Sequence, residues 1–94
     1  MDSLATTPLA DIIEARLCSA LSPTRLVVSN DSAQHSGHMG DDGTGESHFS
    51  VTIEAAAFAG KSRVERQRMV NAALADLLAE RIHALAIKAT APGE

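Results

Sequence analysis

Apolar residues recur at helical spacing in TPLADIIEARLCSAL, where Leu9, Ile12, Ile13, Leu17 and Leu21 fall on one stripe. Thr7 stands where an N-cap belongs, and Pro8 fits the first helical position because no backbone N–H is needed there. Ser22-Pro23 stops that helix. RLVVSN, residues 25–30, is a short β-prone run. In HFSVTIEA, Phe49, Val51 and Ile53 alternate with Ser50, Thr52 and Glu54, the pattern of a strand with one face on a core. Ser62 followed by Glu65 has capping-box spacing. Val70, Leu74, Leu77, Leu78 and Ile82 then mark the buried face of one long helix. HALAIKA reads as a third strand beginning at His83 or Ala84, and TAPGE as a polar tail.

Two short strands in succession most often pair antiparallel. The connection between them, residues 31–46, is longer than an ordinary hairpin loop, and loops of that length tend to be functional or disordered. The second strand, long helix and third strand form a βαβ unit, so these two strands should run parallel with a right-handed crossover. The order α-β-β-α-β predicts a single α+β domain, residues 1–94. It would be a three-stranded mixed sheet with helices packed on one face. Residues 1–7 and 91–94 are expected to be flexible.

Composition sharpens this picture in three places. Phe49 and Phe58 are the only aromatic residues, so the core must be aliphatic. The net charge of −4 disfavours non-specific nucleic-acid binding by the whole surface, yet Lys61, Arg63, Arg66 and Arg68 concentrate half of the eight Lys and Arg. Cys18, the one cysteine, excludes an internal disulfide and a Cys-only metal site. Beside the apolar stripe of the first helix it reads as a packed small residue rather than a nucleophile. No apolar run approaches 18 residues, and MDSLATTPL contains an acid and no Arg. Neither a membrane span, a secretory signal nor a transit peptide is expected, and the location is read as cytoplasmic.

The candidate chemistry lies in histidines and one basic patch. His35 and His38 could give two imidazoles to a metal, with Asp41 or Asp42 nearby; the alternative is a polar solvated loop. His48 shares the parity of Ser50 and Thr52 and reads as a hydrogen-bonded strand histidine. His83, between the long helix and the last strand, suits either a helix C-terminus or a ligand position. GHMG, residues 37–40, matches a G-x-x-G string. It falls in a strand-to-strand connection followed by two carboxylates, which argues against a nucleic-acid clamp. Lys61, Arg63, Arg66 and Arg68 at a capped helix start could hold phosphate or an acidic surface, or form a solvated face. No nucleophile elbow or Gly-rich nucleotide loop is present, so no enzyme activity is expected.

NDSAQH (30–35), GESHFSVTI (45–53), FAGKSRVERQRMVNAAL (58–74) and IHALAIKATAP (82–92) together resemble the BolA family over roughly residues 8 to 92. The resemblance implies a class II KH-like α+β fold and a partnership with monothiol, CGFS-type glutaredoxins. In such pairs a [2Fe–2S] cluster bridges the two proteins, with sulfur from the glutaredoxin cysteine and from glutathione. The BolA-like partner supplies the histidine of its IHAL motif and a His or Cys from the loop after the first strand. Carried over, these are His83 and His35, with His38 an additional ligand candidate. Two histidines on one iron raise the potential relative to all-thiolate ligation. The resemblance also implies, as the alternative, a DNA-binding regulator, carried here by Lys61, Arg63, Arg66 and Arg68. This chain has Arg66-Gln67-Arg68 where the family usually shows Arg-His-Arg, so the central histidine is missing. A homodimer in the absence of a partner is compatible with the sequence.

Overall fold

The computed structural model describes residues 7–31 and 47–94. Helix α1 (Leu9–Leu21) is followed by strands β1 (Arg25–Asn30) and β2 (His48–Glu54). A 3-10 turn at Ala56–Phe58 leads to α2 (Arg63–Ala73), α3 (Ala75–Glu80) and β3 (Ala84–Thr90). The α-β-β-α-β order is as expected, with the second helical section divided in two.

Pro8 is itself the N-cap of α1, in extended conformation, and its carbonyl accepts from the N–H groups of Asp11 and Ile12. The cap expected at Thr7 is therefore displaced by one residue: the fixed φ of proline suits the extended cap as well as the first turn. At the other end Ser22 adopts a left-handed conformation (φ 47°) and its N–H donates to the Cys18 carbonyl. That geometry satisfies an orphan carbonyl, and Pro23 blocks further helix. Leu9, Ile13 and Leu17 are buried as the stripe requires. Cys18, expected to pack, is exposed. One residue past Leu17 is a rotation of about 100°, enough to leave the buried face.

The sheet order is β1-β2-β3, with β1 and β2 antiparallel and β2 and β3 parallel. Phe49, Val51 and Ile53 of the central strand face Asn30, Val28 and Leu26 on one side and Leu85, Ile87 and Ala89 on the other. This face joins Leu9, Ile13, Leu17, Phe58, Val70, Leu74, Leu77, Ile82 and Ala91 in one core. Thr52, Ala84, Ala86, Lys88 and Val27 project from the opposite, open face.

The capping box at α2 is formed in both directions: the Ser62 N–H donates to Glu65 Oε1 (2.8 Å) and the Glu65 N–H to Ser62 Oγ (3.1 Å). The one long helix expected after it breaks at Leu74, whose φ and ψ are −115° and 16°. There the Leu74 N–H donates to Asn71, three residues back, tightening the turn so that α3 restarts at Ala75. Leu74 and Leu77 both remain buried across the break. Arg16 of α1 grips Asp76 of α3 with two hydrogen bonds, 2.6 and 2.9 Å.

Residues 91–94, expected to be loose, are tied to the fold. Ala91 is buried, and its N–H donates to Glu94 Oε1 (3.1 Å), while the Glu94 N–H returns to the Ala91 carbonyl. Glu94 in turn forms an ion pair with Arg66.

Candidate functional site

Parallel pairing of β2 and β3 places His48 opposite Ala84, so His83 lies beside the first residue of β2. The Ser47 carbonyl accepts from the N–H groups of both His83 (2.8 Å) and Ala84 (3.2 Å). Ser47 is fully buried, and its hydroxyl lies 2.9 Å from His48 Nδ1. The His48 and His83 rings stand edge to face with centroids 6.3 Å apart. His83 is exposed and His48 half-buried.

The opposite lip of this site is Asp31. Its N–H donates to the His48 carbonyl (2.8 Å), and its carboxylate accepts from Ser29 Oγ (3.0 Å) and from Ser50 Oγ. Asp31 directly follows β1 and Ser47 directly precedes β2, so the two ends of the 32–46 segment attach to neighbouring strands, with His83 beside Ser47. His35, His38, Asp41, Asp42 and the GHMG string lie outside the described residues.

Imidazole nitrogen is a suitable donor to iron, zinc or copper. Among the described residues, however, no three His, Cys, Asp or Glu side chains gather as a metal site. The donor chemistry at His83 fits a ligand contributed to a set completed from elsewhere. It does not fit a closed site within the described residues. The proximity of His48 to His83 escaped the sequence reading, which treated His48 by strand parity alone. The signal was available in the parallel register, once β2 and β3 are aligned.

The basic patch divides. Lys61, Arg63 and Arg68 are exposed, whereas the Arg66 side chain retains only 13% exposure. Arg66 donates through Nε to the Lys61 carbonyl (3.0 Å) and through Nη1 to the Ala89 carbonyl (3.1 Å). It also meets both Glu94 oxygens, at 2.7 and 2.6 Å. The side-chain hydrogen bonds from Arg66 come first among the causes that bring the Glu94 carboxyl down to about 2. The same pairing raises Arg66 above its ordinary value. Arg63, Arg66 and Gln67 of α2 face Ile87, Lys88 and Ala89 of β3 across a groove of about 340 Å³. Among the described residues, no helix is long and apolar enough to cross a membrane.

This arrangement has close counterparts. The model of the family described as BolA-like protein matches residues 17–94. An uncharacterised Sinorhizobium sp. protein from the cobS 5' region is 52% identical over 92% of this chain and 94% of its own length. The DNA-binding transcriptional regulator BolA of Vibrio cholerae is 46% identical over 84% of this chain and 71% of its own. The solved structure of BolA1 from Arabidopsis thaliana superposes with a TM-score of 0.81 at 34% identity, covering 94% of this chain and 96% of that one. With the family model matching residues 17–94 and a solved relative superposing over 94% of this chain, the chain belongs to the BolA family.

Proposed function

We propose that this chain is a non-enzymatic iron–sulfur adaptor. It pairs with a monothiol, CGFS-type glutaredoxin and shares a bridging [2Fe–2S] cluster through His83 and a histidine of the 32–46 segment, His35 or His38. The observation that carries the reading is the Ser47 carbonyl holding the His83 backbone. It puts an exposed imidazole beside the point where the His35- and His38-bearing segment rejoins the sheet. Glutathione and the glutaredoxin cysteine supply the sulfur ligands, and two imidazoles on one iron raise the cluster's potential. An unpaired, exposed Cys18 suits a reducing cytoplasm.

The test is anaerobic reconstitution with a monothiol glutaredoxin, glutathione, iron and sulfide, followed by visible circular dichroism. A spectrum distinct from that of the glutaredoxin alone, and lost in His83→Ala, is expected. A spectrum identical to glutaredoxin alone rejects the shared cluster.

A second reading has the relative from Vibrio cholerae, named as a DNA-binding regulator, in its favour. Lys61, Arg63 and Arg68 are exposed at the start of α2 and available to phosphates, while Arg66 must first leave Glu94. On this reading Arg63→Ala reduces the slope of log affinity against log salt by about one phosphate contact. An unchanged slope removes it.

A further inference from the structure

The groove between α2 and β3 carries a built carboxylate receptor that the cluster-sharing reading does not use, and that the DNA reading touches only through its cations. Its floor is the Arg66 guanidinium, recessed and fixed by the Lys61 and Ala89 carbonyls. Those two bonds aim the remaining edge of the guanidinium outward, and Glu94 occupies it with both carboxylate oxygens. Such fork-to-fork pairing is the geometry by which arginine selects carboxylates. Arg63 and Lys88 flank the same groove, and neither forms an ion pair among the described residues. Ile87 and Ala89 supply an aliphatic wall between them. Glu94 remains 43% exposed, so its side chain can be exchanged without opening the core.

The geometry points to an acidic-peptide docking site on this face, in which Glu94 is the internal occupant that an incoming glutamate or aspartate side chain replaces on Arg66. A groove of about 340 Å³ is of side-chain dimensions, at the small end of ligand clefts. A duplex backbone is a broad, rigid surface and cannot bring a phosphate onto a recessed guanidinium without approaching the whole molecule, whose net charge is −4. A short peptide meets only the local field of Arg63, Arg66 and Lys88. The apolar wall calls for an aliphatic residue beside the acid. Because Glu94 is tethered, it competes at an effective concentration on the order of millimolar, which keeps weak free anions off the site.

The test uses the full chain and dye-labelled hexapeptides of alternating leucine and glutamate, or leucine and glutamine, read by fluorescence anisotropy. A 20-base-pair duplex DNA is titrated in parallel. The glutamate peptide should bind and the glutamine peptide should bind about three- to fivefold more weakly, the upper end of the scale expected of exposed ion pairs. Glu94→Gln should tighten the glutamate peptide by about three- to fivefold, and Lys88→Ala should weaken it by a similar factor. Thermal melts show whether Glu94→Gln remains folded. Arg63→Ala and Lys88→Ala, on exposed positions, read the same groove without touching the C-terminal turn. Equal binding of the two peptides overturns the proposal. So does an affinity unmoved by Glu94→Gln in a folded protein, or by Lys88→Ala, and so does tightening of the duplex alone. None of these outcomes depends on the cluster reconstitution.

Discussion

Phe58 shows how much one side chain decides in an aromatic-poor core. It is fully buried where the 3-10 turn crosses from β2 toward α2, among Leu and Ile neighbours. Phe58→Ala should lower the unfolding free energy by about 3–5 kcal/mol, measured by urea denaturation, since aliphatic neighbours on rigid elements close the cavity only in part. Phe58→Leu should cost much less. At this scale the sequence was legible wherever burial is periodic: Leu9, Ile13 and Leu17 on the helix, and Phe49, Val51 and Ile53 on the strand. It was not legible for Cys18, whose neighbour Leu17 is buried while it is exposed, because a packed and a solvated cysteine look alike in composition. Nor could Arg66 be separated from Lys61, Arg63 and Arg68. Its partner Glu94 is 28 residues away and becomes a neighbour only through the fold.

At the scale of elements, local chemistry and distant packing divide the structure between them. The capping box at Ser62 and Glu65 was readable from two residues, because both of its bonds are local. Ser62→Ala should cost about 1 kcal/mol, lowering the melting temperature by about 4–8 °C in a calorimetric scan. The break at Leu74 had no such signal. No Gly or Pro marks it, and Leu74 continues the apolar spacing on which the long helix was predicted. The C-terminal turn likewise depends on a partner outside itself. Its Glu94 carboxyl is held near 2 against an ordinary 4.5, so its stabilising contribution is complete above about 4.5 and is lost as pH falls through 2. Amide resonances of Ala91 and Glu94 should titrate with that low midpoint by NMR. Glu94→Gln should show near neutral pH the shifts that the parent shows only in acid. A midpoint at the ordinary glutamate value would mean that the ion pair does not form in solution.

The whole molecule brings His83 beside both the end of α3 and the point where the 32–46 segment re-enters β2, through parallel pairing that spans the sequence. The order of elements was enough to predict that pairing. The edge-to-face approach of His48 to His83 follows only from its register. Among the described residues no three potential ligands gather, so these residues do not close a donor set by themselves. The chain reconstituted by itself with iron and sulfide should therefore lose colour on desalting, whereas the mixture with a monothiol glutaredoxin and glutathione should retain it. Colour retained by the isolated chain would count against a shared ligand set. On the shared-cluster reading, a thiolate in His83→Cys would return the iron toward all-sulfur ligation. The reduction potential of the complex should fall relative to the parent, read by redox titration of its visible spectrum. His83 is exposed and immediately precedes the edge strand β3, so the exchange disturbs no buried side chain. A potential and spectrum both unmoved by His83→Cys would therefore place the iron ligand somewhere other than His83.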